Sequence, residues 1–205
     1  MTGNSSSEPE SQTGPVHAPI GLRRGMVRLV PHRPEWARLF AAEGARLRAT
    51  LGDWAIQIEH VGSTAVPGLT AKPIIDIVVA VAVIGKVADA VEALQRLGYE
   101  VIPEDPVVDR VFLVKGTPDS RQIHLSLAEP TSTCWRDHVL FRDFLRAQPR
   151  AAADYATLKQ QLAVQYPEDR AAYTAGKESF IQRVIAAAML GVDWGDMPNE
   201  DGISP

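Results

Sequence analysis

The sequence predicts an α+β fold in which a mixed β-sheet is followed by a C-terminal helical lobe. Short apolar segments typical of strands recur up to about residue 127, whereas helical periodicity dominates from about residue 132 onward. The longest strand candidate, Pro73–Val83, is apolar at nearly every position. Such a segment is typical of a central strand that is covered on both faces.

The predicted elements follow one another in a simple order. Strands are expected at 27–30, 55–61, 73–83, 99–102, 110–115 and 121–127, with a turn-rich segment joining the last two as a hairpin. One helix ends near Leu51, a second ends at Gly98, and three more are expected near 133–147, 150–165 and 168–190. We therefore expect a disordered tail over 1–20, an α/β core over 21–130, a helical lobe packed on it over 131–190, and a frayed tail over 191–205.

Composition narrows the class of protein. Of the 205 residues, 45% are hydrophobic and 22% are charged, and the net charge of -4 offers no broad basic surface for nucleic acid. Cys134 is the single cysteine, so neither an internal disulfide nor a thiolate metal cluster is expected. The N-terminal segment lacks the apolar stretch of a signal peptide, and the apolar run Ile74–Ile84 is too short for a bilayer. We predict a cytoplasmic protein without a membrane partner.

The first chemical signal is Gly62-Ser63-Thr64, which follows the second predicted strand. Glycine permits close backbone approach, and the serine and threonine add two hydroxyls, so a helical turn starting here would favour an anion such as phosphate. The alternative is a simple helix cap, because Ser and Thr are common capping residues.

Asp76 is the second signal, since it lies within the apolar segment Ile74–Val79. An ionised carboxylate there is costly unless it is paired or bound to a cation. Mg²⁺ prefers oxygen ligands and often bridges a carboxylate to phosphate, so Asp76 opposite a phosphate loop predicts a Mg²⁺–nucleotide site. The alternative is a structural aspartate that pairs with a core arginine or caps a turn.

The run from Glu59 to Leu69, together with Lys72 to Ile77, closely resembles the GrpB family. The likeness extends over about 27–188. It implies the nucleotidyltransferase fold and a relation to domains fused to dephospho-CoA kinase. In that superfamily a Gly-Ser turn holds a triphosphate and two carboxylates bind metal ions, which implies these roles for Gly62, Ser63 and Asp76. Val78 stands at the second carboxylate position, so a single-metal site, a different reaction and a binding role all stay open.

Three further residues could complete the acid–base or metal chemistry. His124 alternates with apolar neighbours, so it could face the cleft as a metal ligand or general base, or lie on the solvated face of an edge strand. Related sequences often have His-x-His here, and Ser126 takes the second place. Glu59 could complete the metal or base arrangement. His60 fits a hydrogen-bonded core histidine, which could orient the Gly-Ser loop.

Cationic side chains would compensate the charge of a nucleotide phosphate. Lys72 could reach either Asp76 or a phosphate. Lys177 falls within an apolar helical face, so it either extends to the surface or points at the sheet together with Tyr173 and Lys159. Arg110 and Arg121 flank the predicted hairpin and could serve the same purpose, although solvent exposure is the expectation for both. Solvent exposure is also expected for the acidic candidates Glu104, Asp105 and Asp109.

Taken together, these residues predict a transferase that depends on Mg²⁺ and on ATP or another nucleotide and acts on a small-molecule acceptor. Nucleotidyl transfer and an adenylate-forming ligation are variants of this reaction. The alternative is a non-catalytic module that binds a nucleotide or a CoA-like ligand. A protein-interaction role is a third hypothesis, although packing on the sheet already explains the apolar pattern of the helical lobe.

Overall fold

Five strands form one mixed sheet in the computed structural model, which describes residues 20–103 and 105–197. The strands are β1 (Gln57–Val61), β2 (Ile75–Ala80), β3 (Tyr99–Val101), β4 (Arg110–Thr117) and β5 (Ser120–Ala128). Their order in the sheet is β1-β2-β5-β4-β3, with β5 parallel to β2 and antiparallel to β4. β5 is therefore a central strand, and the edge-strand interpretation of His124 is wrong.

Six α-helices accompany the sheet in the described part of the chain. They are α1 (Glu35–Leu51), α2 (Ala88–Arg96), α3 (Thr133–Ala147), α4 (Pro149–Gln165), α5 (Arg170–Ala175) and α6 (Glu178–Leu190). Helices α3 to α6 follow the last strand. This arrangement confirms the α+β prediction. None of the described helices has both the length and the apolarity needed to cross a membrane.

The two faces of β2 have different environments because successive side chains of a strand alternate. Ile75, Ile77 and Val79 belong to the main core, which also holds residues of α1 and α2. Asp76 and Val78 point to the opposite face, where Val78 packs with Cys134 of α3. The register pairs Asp76 with His124 of β5, so the strand alternation brings both polar groups to the helical-lobe side of the sheet.

Two predicted elements differ from the observed ones. Val27–Val30 forms no strand but a single bridge, in which Val30 exchanges backbone hydrogen bonds with Ala71. Pro31 follows directly, and proline cannot donate to a ladder. The predicted helix 168–190 is divided into α5 and α6 at Gly176 and Lys177. A Cβ at Gly176 would lie 2.6 Å from Leu162 of α4, so glycine permits this close approach.

Residues 191–197 also differ from the frayed tail that the sequence predicts. Trp194 is only 6% exposed and packs against Phe144 and Phe180 of the helical lobe. Its indole Nε1 donates a hydrogen bond of 2.7 Å to Asp154. A buried indole with a satisfied N–H anchors the segment because it removes a large apolar surface from water. The remaining parts of the predicted tails, 1–19 and 198–205, lie outside the described residues.

Glu43 of α1 forms a buried ionic network that sequence reasoning missed. Its carboxylate is 4% exposed and accepts hydrogen bonds from Tyr99 Oη at 2.8 Å, Lys115 Nζ at 2.6 Å and Arg46 Nη1 at 3.2 Å. Burial alone would raise the pKa of Glu43, but the hydrogen bonds from Lys115 and Tyr99 outweigh it and the pKa is lowered. The network ties α1 to β3 and β4.

We expect Glu43→Ala to lower the free energy of unfolding by about 3–5 kcal/mol, because it leaves Lys115 and Tyr99 without their buried acceptor. Urea denaturation measures the loss. The matched control is Glu92→Ala, which removes an exposed ion pair with Arg96 and should cost under about 1 kcal/mol. Equal losses for the two variants would contradict the importance of this network.

Candidate functional site

A cleft of about 400 Å³ opens between the sheet and helices α3 to α6. Side chains of β2, β4 and β5 line one wall, and the helical lobe lines the other. The turn that follows β1 joins the two walls. This volume is within the usual range for small-molecule sites.

The turn after β1 lies directly against Asp76. Gly62 has φ 68°, which favours glycine, and Ser63–Ala65 form one short 3-10 turn. A Cβ at Gly62 would lie 2.5 Å from Oδ2 of Asp76. The glycine in the motif is therefore needed for a close approach between the turn and the carboxylate.

Basic side chains of the helical lobe hold this turn in place. Lys159 is 2% exposed, and its Nζ donates to Ser63 Oγ at 3.0 Å and to the Thr70 carbonyl. Arg146 donates two hydrogen bonds, of 3.0 and 2.8 Å, to the Ala65 carbonyl. The lobe thus fixes the position of the turn relative to the sheet.

His60 supports the same turn from the core side. Its Nε2 lies 3.0 Å from Thr64 Oγ1, and its ring stacks on Phe40 with a centroid separation of 4.7 Å. Burial lowers the pKa of His60 to about 4, so the ring is neutral at physiological pH. The structure thus places His60 as a core histidine that is hydrogen-bonded to the Thr64 hydroxyl of the turn.

Asp76 and His124 form a hydrogen-bonded pair at the centre of the cleft. His124 Nδ1 lies 2.9 Å from Asp76 Oδ1, and Arg170 Nη2 lies 3.4 Å from His124 Nε2. A guanidinium has only donors, so Nε2 accepts and the proton sits on Nδ1, from where it is donated to Asp76. Burial lowers the pKa of His124 despite the opposing effect of Asp76. The pair is therefore a neutral imidazole beside an ionised carboxylate.

Four basic side chains line the cleft around Asp76 and the turn, namely Lys72, Lys159, Lys177 and Arg170. We call this part of the cleft the basic end. Lys72 Nζ and Lys177 Nζ lie 5.3 and 4.6 Å from the centre of the Tyr173 ring. Burial and neighbouring positive charges lower the pKa of Lys72 and Lys159 to about 7. Burial, with a smaller effect from Arg170, lowers the pKa of Lys177 to about 8. An anionic ligand would relieve this repulsion.

The donor set suits a cation that enters with a phosphate ligand better than a resident metal. Val78, at the second carboxylate position, is 0% exposed. Throughout residues 20–103 and 105–197, no group of three or more His, Cys, Asp or Glu side chains is arranged to hold a metal ion. Both nitrogens of His124 are engaged, which argues against its predicted metal role. Mg²⁺ is commonly held by one or two carboxylates together with substrate phosphates, and Asp76 fits that role.

Glu59 does not line the cleft, although the sequence predicted that it would complete the metal or base arrangement there. It forms an ion pair with Arg142 of α3, which also donates to the His60 carbonyl at 3.0 Å. The pair fastens β1 to the helical lobe. A carboxylate committed to a buried arginine is a poor candidate for a base or metal ligand.

The other charged candidates are not simply solvent-exposed. Arg110 lines the cleft and forms two hydrogen bonds, of 2.6 and 2.8 Å, with Asp105. Arg121 is 4% exposed, and its Nη1 lies 2.9 Å from Glu100 Oε2. Asp109 accepts a hydrogen bond of 2.9 Å from the Cys134 N–H at the start of α3. Glu104 lies outside the described residues.

Three cleft residues escaped sequence reasoning, namely Tyr155, Arg170 and His138. Tyr155 precedes Lys159 by one helical turn, and the Lys159 Nζ lies 4.6 Å from its ring centre. Because residues four apart share one face of a helix, this spacing could have predicted that Tyr155 lies beside Lys159 in the cleft. Nothing local distinguishes Arg170 or His138, since each reaches the cleft only through the packing of the lobe on the sheet.

The fold belongs to the nucleotidyltransferase class. The structure of a GLD-2/RNP-8 complex aligns with a TM-score of 0.50 at 15% identity, over 80% of this chain and 63% of that one, a likeness in fold alone. The family model described as GrpB protein matches residues 26–187, so the chain belongs to the GrpB family. This result confirms the resemblance found in the sequence.

Individual relatives agree with this assignment. UPF0157 protein PA4798 of Pseudomonas aeruginosa is 42% identical over 166 residues, which cover 80% of this chain and 68% of that protein. The crystal structure of conserved protein GrpB from Enterococcus faecalis aligns with a TM-score of 0.74 at 35% identity, over 80% of this chain and 98% of that one. Dephospho-CoA kinase of Mycolicibacterium paratuberculosis is 31% identical over 205 residues, covering 85% of this chain. The chain spans about half of that relative, or 48%.

We expect Gly62→Ala to destabilise the protein more than Gly68→Ala does. The two glycines have φ of 68° and 78°, so both substitutions add strain of about 1–2 kcal/mol. At Gly62 the new Cβ would also lie 2.5 Å from Asp76 Oδ2, whereas nothing lies within 4 Å of the corresponding position at Gly68. Urea denaturation measures both losses, and equal values would contradict the close contact with Asp76.

Proposed function

We propose that the cleft binds a nucleoside triphosphate and that the protein transfers the nucleotidyl group to a small-molecule acceptor. The observation that carries this proposal is the basic end, where four cations surround Asp76 and the Gly62–Thr64 turn in a chain of net charge -4. Local positive charge in an acidic chain is typical of a site for one anionic ligand. The nucleotidyltransferase fold supports the choice of nucleotide.

The described side chains suggest how such a ligand would be held. Lys72, Lys177 and Arg170 would compensate the phosphate charges, and cations in a partly enclosed cleft do so more strongly than in open water. Lys159 would act indirectly, because its hydrogen bond to Ser63 Oγ fixes the turn. His124 would keep Asp76 oriented through their 2.9 Å hydrogen bond. Asp76 would hold a Mg²⁺ that enters with the nucleotide, and such an ion neutralises developing phosphate charge.

A non-catalytic module for a nucleotide or a CoA-like ligand is the second candidate. The observation that favours it is Val78, because a buried valine at the second carboxylate position leaves Asp76 as the carboxylate of the basic end. Both candidates require phosphate binding by the basic end. The transferase would need Mg²⁺ and Asp76 for its reaction, whereas the binding module would carry out no reaction.

We expect ATP with Mg²⁺ to bind the wild-type protein and Lys177→Met to weaken this binding roughly tenfold to a hundredfold. The reason is that a charge-assisted hydrogen bond contributes about 1.5–3 kcal/mol. Isothermal titration calorimetry measures the affinity. The matched control is Lys86→Met, which removes an exposed lysine on a short turn outside the cleft and should leave the affinity unchanged.

Asp76→Asn then separates the two candidates. For the transferase, ATP binding should be stronger with Mg²⁺ in the wild-type protein but not in the variant, and release of pyrophosphate should be lost. Mg²⁺-independent binding that survives Asp76→Asn, without pyrophosphate release by the wild-type protein, would favour the binding module. If ATP, other nucleoside triphosphates and CoA all fail to bind, the proposal is wrong.

Nucleotide affinity should fall as the pH rises. The charged forms of Lys72 and Lys177 would bind phosphate, and the pKa is about 7 for Lys72 and about 8 for Lys177. Bound phosphate favours the charged forms and raises these pKa values, so binding near pH 8 should take up protons. Calorimetry in buffers of different ionisation enthalpy measures the uptake. An affinity that stays constant between roughly pH 6.5 and 9, with no proton uptake, would contradict this electrostatic account.

A further inference from the structure

The cleft has a second part whose chemistry differs from that of the basic end. Lys72 precedes the start of β2, whereas Val78 and its register partner Ser126 lie beyond the Asp76–His124 pair. Ser126 in turn pairs with Phe112 of β4, whose ring centre lies 5.5 Å from that of His124. We call this part the apolar end, and it consists of Phe112, Ser126, His138, Phe141, Ile181 and Ile185.

Charged groups near the apolar end are already compensated. Arg110 Nε and Nη2 both bond to Asp105. Asp137 lies 2.8 Å from Arg136 Nη2. The Arg110 guanidinium also lies 4.5 Å from the centre of the Phe112 ring, and its Nη1 donates to Ser126 Oγ at 3.4 Å. Because Asp105 already neutralises Arg110, a ligand at this end would meet aromatic surface, this paired guanidinium and a few neutral polar atoms. A further carboxylate or phosphate would gain less there than at the basic end.

His138 supplies an acceptor atom to this end. Its Nδ1 lies 2.7 Å from the carbonyl oxygen of Cys134, one turn earlier in α3. A carbonyl can only accept, so the proton sits on Nδ1 and Nε2 carries a lone pair. His138 lines the cleft and lies close enough to Asp76 that a positive charge on its ring lowers the pKa of Asp76. His124 differs, because Asp76 and Arg170 engage both of its nitrogens.

We propose that the apolar end is the acceptor subsite and that His138 Nε2 takes the proton of the acceptor. The acceptor class is a hydroxyl or amine on an apolar body, which would pack between Phe112 and Phe141. This inference rests on the proposed nucleotidyl transfer.

The reaction is balanced with the nucleoside triphosphate as the second substrate. The acceptor oxygen or nitrogen attacks the α-phosphorus and forms a new bond to it. The bond from the α-phosphorus to the bridging oxygen breaks, and pyrophosphate leaves with the electron pair. The acceptor proton moves to His138 Nε2, while the proton on Nδ1 stays there and remains hydrogen-bonded to the Cys134 carbonyl oxygen. The imidazolium then returns its proton to water.

Three probes of the same apolar body test the acceptor class. Pyrophosphate release from ATP and Mg²⁺ is measured with benzyl alcohol, benzylamine or benzoate, and with no added acceptor. We expect faster release with the alcohol or the amine than with benzoate, whose charge would meet an arginine that is already paired with Asp105. Equal rates with all three probes and without them would overturn the acceptor subsite.

His138→Gln tests the proton acceptor. We expect kcat to fall about 10²–10⁴-fold, with the KM for ATP unchanged. His32→Gln, which removes a histidine that contacts Trp36 outside the cleft, should change neither constant. An unchanged kcat in His138→Gln, or a loss of rate that comes entirely from a higher KM for ATP, would overturn the role of His138.

Calorimetry of ATP binding to the same preparations distinguishes the two levels of inference. If the wild-type protein binds neither ATP nor another nucleoside triphosphate, the proposed nucleotidyl transfer and the acceptor subsite are both wrong. If ATP binds and Lys177→Met weakens binding, but none of the probes accelerates release, the acceptor subsite alone is wrong.

Discussion

The close contact between Gly62 and Asp76 is the constraint on which the rest of the site depends. It brings the turn after β1 against a carboxylate of β2, and a side chain at position 62 would prevent this approach. Lys159 and Arg146 then hold the turn from the helical lobe, through Ser63 Oγ and the Ala65 carbonyl. The lobe and the sheet are thus joined at the point where the ligand would bind, so loss of this contact should affect stability and binding together.

The same packing creates the electrostatic character of the cleft. Lysines on separate elements are brought around Tyr173 and the turn, where burial and mutual repulsion lower their pKa values toward neutrality. Holding several positive charges this close together is unfavourable in the free protein. Side chains with strongly shifted pKa values are common at binding sites. An anion at the basic end would offset the repulsion. Structural ion pairs such as Glu59–Arg142 serve a different purpose, because they fasten β1 to α3.

Membership in the GrpB family and the nucleotidyltransferase fold narrows the chemistry without defining the reaction, since a fold hosts many functions. The decisive local feature is Val78, which is fully buried at the position where the family resemblance implies a second metal-binding carboxylate. The cleft instead combines one carboxylate with several cations. In the proposed function, lysine and arginine would compensate the phosphate charge, and Mg²⁺ would enter together with the nucleotide. The apolar end then offers a place for an acceptor beyond the Asp76–His124 pair.

Local sequence was sufficient for the strands and helices whose periodicity is regular, for the Gly62–Thr64 turn and for the unusual position of Asp76, because these features depend on neighbouring residues. It was insufficient where contacts join distant segments. The ion pair of Glu59 with Arg142, the position of Arg110 in the cleft, and the burial of Trp194 required tertiary packing. His124 illustrates the difference: alternation indicated its face, but only the parallel pairing of β2 and β5 placed it 2.9 Å from a carboxylate 48 residues away. The sequence by itself thus determined which groups are chemically unusual, and the tertiary structure decided which of them meet, because register and helix packing set those distances.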